Sequence, residues 1–301
     1  MVQITTGYSK GNGLMRGVIM SAGKGTRLWP LTAVTNKQLL PVFDKPMIYY
    51  PLTTLILAGA KDILIICNPS DIDKYQQLLG DGSRFGINLE FTVQKEPKGI
   101  AQAFTIKPEF FSNSNNNTLI LGDNLLYGSG LGTSLANLDC KAGATIFGYE
   151  VADPSSYGVL EVDDKMQVVS LEEKPQSPRS KYAIPGLYFY DGTVVDRAKQ
   201  LKPSNRDELE ITDLNRSYLN DRELRAIILE RGTAWLDTGS IEDLVNASEF
   251  VKVIEKRQGF KVSCIEEIAY RQGFINKEQL LKVADKYGKS GYGDYLKKLV
   301  K

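Results

Sequence analysis

Short apolar runs alternate with segments of helical spacing through the first half of the chain, and this alternation is the strongest constraint on its fold. The predicted strands lie at residues 17–20, 63–67, 89–93, 118–121 and 145–151. Helical patterns at 47–58 and 99–106 separate consecutive strands. The alternation predicts an α/β fold with a doubly wound, mixed and mainly parallel sheet. Ligands of such sheets bind beyond the carboxyl ends of the strands, so we expect functional residues at that edge.

The pattern changes in the second half of the chain. Residues 158–162 and 168–171, joined by a polar turn, predict an antiparallel hairpin, which we interpret as a β-rich insertion that covers the substrate. An asparagine-rich patch at 112–117 is interpreted as a surface loop. The predicted C-terminal helices lie at 241–256, 277–287 and 292–300. The predicted domains are an N-terminal extension at 1–14, a core with the insertion at 15–240, and a C-terminal helical region for assembly or regulation at 241–301.

The composition argues against several classes of partner. The 37 Lys and Arg residues nearly balance the 36 Asp and Glu residues, so there is no global field to attract nucleic acid or an anionic membrane. The longest apolar runs are strand-sized, well short of the roughly 20 residues that a membrane helix needs. The first fourteen residues lack the apolar run of a secretory signal, and three distant cysteines suit reduced thiols. We therefore expect a cytoplasmic protein with no disulfide framework.

Histidine is absent from the chain. This excludes Ser–His and Cys–His nucleophile pairs, imidazole general bases and every metal site that contains histidine. The side chains left for chemistry are carboxylates, lysine and arginine, together with the backbone. That set suits phosphoryl transfer, in which positioning and charge neutralisation supply most of the catalysis.

A glycine-containing loop at residues 22–27 directly follows the first predicted strand. Gly23 and Gly25 stand where the chain must turn, and a turn of this kind lets backbone N–H groups face a phosphate. The spacing is neither Gly-x-Gly-x-x-Gly nor a Walker A motif, which argues against a dinucleotide enzyme or a P-loop ATPase. The alternative is an ordinary turn in which Lys24 and Arg27 are simply solvated.

Two aspartates are candidates for a magnesium site. Asp123 follows the apolar strand at 118–121, and Asp237 lies between an apolar segment and Gly239. Mg²⁺ usually takes one or two carboxylates together with phosphate oxygens, so the pair would be sufficient. The alternative is that each aspartate caps a turn or a helix, since aspartate is a preferred N-cap residue.

Several motifs taken together resemble one family. Gly-x-Gly-Thr-Arg at 23–27, Lys-Gln-Leu-Leu-Pro at 37–41 and Asp-Lys-Pro-Met-Ile-Tyr-Tyr-Pro at 44–51 resemble the signature of the glucose-1-phosphate thymidylyltransferases, a branch of the sugar nucleotidyltransferases. Ala22 and Lys24 stand where that family commonly has Gly and Ser. The resemblance extends from about residue 15 to the C-terminus. It implies the Rossmann-like fold of nucleotide-diphospho-sugar transferases and a homotetramer.

The resemblance also implies roles for residues that match the family motifs. Arg27 and the glycine loop would hold a triphosphate, Lys37 would contact the reacting phosphates, and Asp123 and Asp237 would bind Mg²⁺; these four are the expected catalytic residues. The implied nucleotide-binding residues are Ala22, Gly23, Gly25, Thr26, Arg27, Lys37, Gln38, Gln94, Pro97, Gly99 and Asp123. The implied sugar-phosphate residues are Asn124, Tyr157, Gly158, Glu173, Lys174, Ile184 and Tyr188.

The reaction implied by the resemblance is attack of glucose 1-phosphate on dTTP, which gives dTDP-glucose and pyrophosphate for dTDP-sugar or dTDP-rhamnose synthesis. A UTP-dependent uridylyltransferase is the nearest alternative, because a pyrimidine pocket could admit either base. A non-catalytic nucleotide-sugar sensor is a second alternative, which the presence of all four expected catalytic residues disfavours. The tracts at 208–213 and 257–271 also resemble the family, and we assign them structural or assembly roles.

Overall fold

The computed structural model describes residues 15–138 and 140–301, so the predicted extension at 1–14 lies outside the described residues. The strands are β1 Met15–Ser21, β2 Pro41–Val42, β3 Lys45–Pro46, β4 Asp62–Cys67, β5 Asn88–Val93, β6 Asn116–Leu121, β7 Asn124–Tyr127, β8 Ala144–Glu150, β9 Gly158–Val162, β10 Val168–Glu173, β11 Tyr182–Ala183, β12 Leu187–Tyr190, β13 Leu224–Ile228 and β14 Ala234–Asp237. The α-helices are α1 Tyr49–Leu57, α2 Ile72–Leu79, α3 Ala103–Ile106, α4 Leu131–Ala136, α5 Val194–Gln200, α6 Ile211–Asn220, α7 Ile241–Gln258, α8 Ile265–Arg271, α9 Lys277–Lys286 and α10 Gly291–Lys298.

A mixed sheet organises these elements. Its strand order is β10-β9-β11-β8-β12-β6-β1-β4-β5, and β13 pairs with β8 beside this path. Strands β6, β1, β4 and β5 are mutually parallel, whereas β12 runs antiparallel between β6 and β8. The chain moves outward from β1 to β4 and β5 and then returns to β6 on the other side of β1. This reversal creates a switch point, where an open α/β sheet leaves a crevice for ligands.

The parallel strands are buried on both faces, which explains their unbroken apolar sequence. Val18 of β1 and Leu64 of β4 belong to the core cluster on the first face of the sheet. Their neighbours Ile19 and Ile63 belong to the core cluster on the second face. The first face is covered by α3, α5 and α6, and the second by α1, α8, α9 and α10. The predicted doubly wound α/β fold is confirmed, with the parallel pairs concentrated in the β6-β1-β4-β5 half.

The C-terminal helices pack on the segments that carry the sequence motifs. Leu244 and Ala247 of α7 share a core cluster with Leu28, which follows the glycine loop, and with Met47. Cores are therefore shared across residue 240, and the division of the chain into domains there stays a prediction. Across residues 15–138 and 140–301, no helix has both the length and the hydropathy to cross a membrane.

The predicted hairpin is confirmed as the antiparallel pair β9–β10, and the predicted helices in the tail correspond to α7, α9 and α10. The interpretation of 112–117 as a surface loop holds for Ser112, Asn113 and Asn115, which are exposed ahead of β6, but it is wrong for the end of the patch. Asn116 and Asn117 begin β6 and are buried, and the Asn117 carboxamide donates to the Asp191 carbonyl at 3.0 Å. The polar composition of the patch was misleading because the Asn117 carboxamide bonds to the Ser114 and Asp191 carbonyls inside the protein instead of to water.

Candidate active site

The loops that follow β1 and β6 lie side by side at the switch point of the sheet. The Gly122 amide donates to the Met20 carbonyl at 2.9 Å, which joins the two strand ends. A Cβ on Gly122 would lie 2.4 Å from Ser21 Oγ and 2.9 Å from Gln38 Cγ, so only glycine fits here. The close approach brings the glycine loop near Asp123. It also buries the predicted nucleotide residue Gln38 within the protein.

The glycine loop ends in a tight turn that presents Arg27. Gly25 has φ +62°, a left-handed conformation that favours glycine, and its carbonyl accepts from Thr32 Oγ1 at 2.8 Å. A short 3₁₀ turn at Thr26–Leu28 follows, anchored by the buried Leu28. A Cβ on Gly239 would lie 3.0 Å from Arg27 Nη2. The guanidinium therefore packs on the loop after β14, beside the second candidate aspartate.

Lys37 and Asp123 form an ion pair at this edge. The Lys37 ammonium donates to Asp123 Oδ2, and the two side chains are only 10% and 16% exposed. Burial would raise the pKa of Asp123, but the Lys37 charge and hydrogen bond, with a further bond from Asn124, hold that pKa below its ordinary value. The Asp123 carboxylate is therefore ionised and already oriented.

Asp237 reaches Asp123 through a two-stranded ribbon separate from the main sheet. Strands β7 and β14 pair antiparallel, with Asp237 opposite Asn124. The Thr238 amide and hydroxyl donate to the Asp123 carbonyl at 3.2 and 2.9 Å, which closes the junction. Burial, and then the negative charge of Asp123, raise the pKa of Asp237 to about 6. The two carboxylates thus repel each other in a poorly solvated site.

Such a pair suits a hard divalent cation, whose charge would offset the repulsion. Within the described ranges there is no cluster of three or more metal-binding side chains, so a cation here would take its other ligands from phosphates or water. The helix-cap alternative is wrong for both residues, although Asp123 does lie in the turn between β6 and β7. Helix α7 is capped by Ser240, whose side chain forms a capping box with Asp243, and Asp123 leads into a strand instead of a helix.

A cavity of about 530 Å³ opens beside the carboxylate pair. Arg27, Asp123 and Asp237 form one end of it. All seven predicted sugar-phosphate residues line the rest of its wall, namely Asn124, Tyr157, Gly158, Glu173, Lys174, Ile184 and Tyr188. The rings of Tyr157 and Trp235 meet edge to face with centroids 5.0 Å apart and give the wall an apolar side. The fold therefore gathers these separate motifs around one space.

The end of β10 supplies a carboxylate and a cation to this cavity. Glu173 Oε2 accepts from the Thr212 hydroxyl at 2.5 Å, and Oε1 accepts from Arg206 Nη2 at 3.4 Å. Lys174 has φ +44°, a strained conformation for a residue other than glycine, and its amide donates to the Tyr157 carbonyl at 3.0 Å. Its side chain is half exposed, so the ammonium is accessible to a ligand.

The sequence analysis missed Arg206 and Thr212. Thr212 lies within the 208–213 tract, for which only structural or assembly roles were predicted, and Arg206 lies two residues before that tract. The need for such residues could have been recognised, because a partly buried carboxylate such as Glu173 requires cationic or hydroxyl partners. The partner of Glu173 could not be chosen from the sequence, since Arg206 is 33 residues away.

Asn124 serves the protein's own architecture. Its Nδ2 donates to Asp123 Oδ1 at 3.0 Å, and its Oδ1 accepts from Trp235 Nε1 at 2.7 Å and from the Gly186 amide at 2.9 Å. These bonds orient the Asp123 carboxylate and join the ribbon to the turn before β12. Contact between Asn124 and a sugar phosphate stays a prediction.

The predicted base-reading residues lie outside the wall of this cavity. Gln94 is buried, and its Nε2 donates to the Gly99 carbonyl at 3.3 Å and to Gln102 Oε1 at 2.6 Å. Gly99 has φ +97°, and a Cβ there would lie 2.3 Å from the Leu209 carbonyl oxygen. Glycine is thus required by the contact with the 208–213 tract. Pro97 is exposed.

Comparison with known proteins agrees with the geometry. The sequence model of the nucleotidyl transferase family matches residues 16–253. Glucose-1-phosphate thymidylyltransferases from Mycolicibacterium smegmatis and Neisseria gonorrhoeae are 55% and 52% identical to this chain; each alignment covers 95% of this chain and 99% of the relative.

The chain is also similar in structure to solved proteins. A Bacillus anthracis chain described as a glucose-1-phosphate thymidylyltransferase, crystallised with sucrose, superposes with a TM-score of 0.72 at 37% identity, covering 78% of this chain and 94% of the other. A UDP-glucose pyrophosphorylase with bound UDP-glucose has a TM-score of 0.68 at 23% identity, covering 81% and 100%. The second likeness shows the fold alone.

Proposed function

Because the chain belongs to the nucleotidyl transferase family, among the glucose-1-phosphate thymidylyltransferases, we propose that it transfers the thymidylyl group of dTTP to glucose 1-phosphate. The products are dTDP-glucose and pyrophosphate. One observation supports this most directly: a single cavity has a cation and a carboxylate pair at one end and a carboxylate, a cation and aromatic rings at the other. A nucleotide and a sugar phosphate have complementary groups in that arrangement.

In the reaction, a phosphate oxygen of glucose 1-phosphate attacks the α-phosphorus of dTTP in line. A new P–O bond forms while the bond from the α-phosphorus to the bridging oxygen of the β-phosphate breaks, and pyrophosphate leaves. The protein must bring two polyanions together and stabilise charge on the leaving oxygens. Arg27, Lys37 and Lys174 offset that repulsion, and no side chain needs to form a covalent intermediate.

Lys37 is suited to the reacting phosphates. Its ammonium has three N–H donors, and the bond to Asp123 uses one of them. The remaining donors stay available to α-phosphate oxygens, while the ion pair fixes the position of the nitrogen. Arg27 lies against Gly239 and extends the positive charge toward the triphosphate.

Asp123 and Asp237 are the residues that would hold a divalent cation, which we infer to be Mg²⁺. When bound, the cation acts as a Lewis acid on phosphoryl oxygens and reduces the repulsion between the substrates. The two carboxylates offer hard oxygen donors, and Asn124 and Thr238 hold the Asp123 end in place.

At the sugar end, Glu173 accepts hydrogen bonds from sugar hydroxyls. Thr212 and Arg206 already hold its carboxylate, so it binds without having to be reoriented. Lys174 pairs with the phosphate of glucose 1-phosphate, and the strained backbone at this residue directs the side chain from the end of β10. Tyr157 and Trp235 present an apolar surface to the carbon face of the sugar ring.

Pyrophosphate release from a panel of substrates tests the proposal. The purified protein is incubated with each of dTTP, UTP, CTP, ATP and GTP, and with glucose, galactose, mannose and N-acetylglucosamine 1-phosphates, with Mg²⁺ or EDTA. We expect the highest rate with dTTP and glucose 1-phosphate, loss of the rate in EDTA, and dTDP-glucose by mass spectrometry. A higher rate with UTP would make the protein a uridylyltransferase. Binding without pyrophosphate release would make it a sensor.

A homotetramer in the cytoplasm is part of the same proposal. The tetramer rests on the resemblance to the family, and the cytoplasmic location rests on three distant cysteines that suit reduced thiols. Light scattering coupled to size-exclusion chromatography tests the assembly, and a mass near 33 kDa, the mass of one chain, would contradict it.

A further inference from the structure

A buried carboxamide holds the turn that carries Lys37. Asn36 is 4% exposed and caps the 3₁₀ turn at Lys37–Leu39. Its Oδ1 accepts from the Gln38 amide at 2.9 Å and from the Tyr75 hydroxyl at 2.9 Å. The start of the turn is therefore bonded to its own cap and, through that cap, to helix α2.

The other end of the same carboxamide reaches the glycine loop. Asn36 Nδ2 donates to the Ser21 carbonyl, at the end of β1, at 3.1 Å, and to Asp71 Oδ2 at 3.1 Å. Asn68 Nδ2 donates to the same Asp71 oxygen at 3.0 Å and to the Gly23 carbonyl at 3.5 Å. Bonds from Asn36 and Asp71 thus join the ends of β1 and β4 to the turn that carries Lys37.

Asp71 is an unusual residue to bury without a metal or substrate. It is 5% exposed, and its Oδ1 accepts from Lys74 Nζ at 3.2 Å, while its Oδ2 takes the two amide bonds. A buried carboxylate is retained only when its oxygens are satisfied, so these donors determine its position. Neither Asp71 nor Asn36 lines the cavity.

We propose that Asn36 and Asp71 are positioning residues for the reaction: they fix the backbone of Lys37 so that its ammonium stands between Asp123 and the glycine loop. The inference rests on the proposed function, in which Lys37 contacts the reacting phosphates. A lysine side chain is long and flexible, so the place of its ammonium depends on how firmly its backbone is held. A misplacement of about 1 Å in such a group can cost about 100-fold in rate.

The expected signature is a fall in kcat with little change in KM, because the side chains assigned to hold the substrates are untouched. Asn36→Ala should lower kcat about 10- to 100-fold and change either KM less than about threefold. Asn36→Ser keeps an N-cap oxygen for the Gln38 amide and should recover part of kcat. Asn36→Asp also keeps the cap but places a second carboxylate about 3 Å from Asp71, so it should be slower than the serine variant.

Asp71 offers an independent pair of variants. Asp71→Asn keeps an oxygen that can accept from Asn36 and Asn68, whereas Asp71→Ala removes it. The asparagine variant should therefore retain a higher kcat than the alanine variant. Equal losses in the two would show that the hydrogen bonds to Asp71 do not matter for turnover.

Asn117→Ala is the matched control. Asn117 is another buried asparagine, in strand β6, with bonds to the Ser114 and Asp191 carbonyls, and it lies at the opposite end of β6 from Asp123. Its loss should lower the stability to unfolding but leave kcat unchanged. Hydrogen exchange of peptides spanning 36–42 in the substrate-free protein should increase in Asn36→Ala and remain unchanged in Asn117→Ala.

Three results would overturn the inference: a kcat within twofold of wild type for Asn36→Ala, an effect confined to KM, or an equal loss of kcat in the Asn117 control. These outcomes are distinct from failure of the proposed function. If wild type prefers another nucleotide or sugar phosphate, that assignment fails and the variants are compared on the preferred pair. A protein that turns over no pair would refute both proposals.

Discussion

Replacing Asp237 by asparagine should change turnover and stability in opposite directions, and so tests the carboxylate pair twice. The side chain keeps its size but loses its charge, so turnover should fall while the metal-free protein becomes more stable. Losing one charged ligand of a catalytic cation costs several kcal/mol in the transition state, on the order of 1,000-fold in rate. Such an outcome would show that the buried carboxylate pair is kept for activity although it lowers the stability of the fold.

The gain in stability can be estimated from the pKa. Burial and the Asp123 charge raise the pKa of Asp237 from its ordinary value of 3.8 to about 6, although Lys37 and Arg27 act in the other direction. The unfolded chain loses this proton near pH 4 and the folded protein near pH 6. Ionised Asp237 therefore costs the folded state about 3 kcal/mol above pH 6, and the cost disappears below about pH 4.

Urea unfolding in EDTA measures this cost for the metal-free protein. Asp237→Asn should be more stable than wild type by up to about 3 kcal/mol at pH 8, and the difference should shrink as the pH is lowered toward 4. Asp196→Asn is the control, because this aspartate is 80% exposed and its charge costs little. Added Mg²⁺ should stabilise wild type more than Asp237→Asn.

Two results would refute this reasoning. If Asp237→Asn is less stable than wild type at pH 8 in EDTA, the two carboxylates do not oppose each other in the folded protein. If its turnover at saturating Mg²⁺ stays within about tenfold of wild type, Asp237 is not part of the metal site.

The remaining predictions concern the sugar end, the base and the C-terminal helices. Lys174→Ala should raise the KM for glucose 1-phosphate far more than that for dTTP in initial-rate kinetics; the reverse would mean that the two ends are misassigned. Wild type should prefer dTTP to UTP only about 10- to 200-fold in direct competition, and Gln94→Ala should weaken both by about 1–3 kcal/mol; unchanged affinities would place base recognition elsewhere. Tyr292→Phe removes a 2.8 Å bond to the fully buried Glu266 and should lower the free energy of unfolding by about 1–3 kcal/mol without changing turnover; unchanged stability would contradict it.

The parts of the fold that depend on neighbouring residues could be predicted from the sequence. Val18 and Ile19 are consecutive and both apolar because β1 is covered on both faces, and the same pattern identified β4. Glycines mark the turn at the end of β1, where Gly25 takes a left-handed conformation. Local chemistry of this kind produces a visible pattern within a few residues.

Long-range pairings left no such pattern. The β7–β14 ribbon joins segments more than a hundred residues apart, and together with the Thr238 bonds to the Asp123 carbonyl it brings Asp237 to Asp123. Glu173 is likewise completed by Thr212, which the sequence analysis treated as structural. The sequence could indicate which residue types the chemistry needs, but the choice of partners depends on tertiary packing.

Sequence adjacency can also mislead about roles. Asn124 adjoins Asp123 and resembles a ligand contact, yet its carboxamide joins the ribbon to the turn at Gly186 and orients the carboxylate. Asn36 adjoins Lys37 and stands in a similar relation to it, with a fully bonded carboxamide outside the cavity. Asn124 bonds to the charged group itself, and Asn36 bonds to the backbone turn that carries the charged residue, while the other bonds of each amide reach distant segments. Because a charge is effective in phosphoryl transfer only when its position is fixed, such amides deserve the same mutational scrutiny as the charges they support.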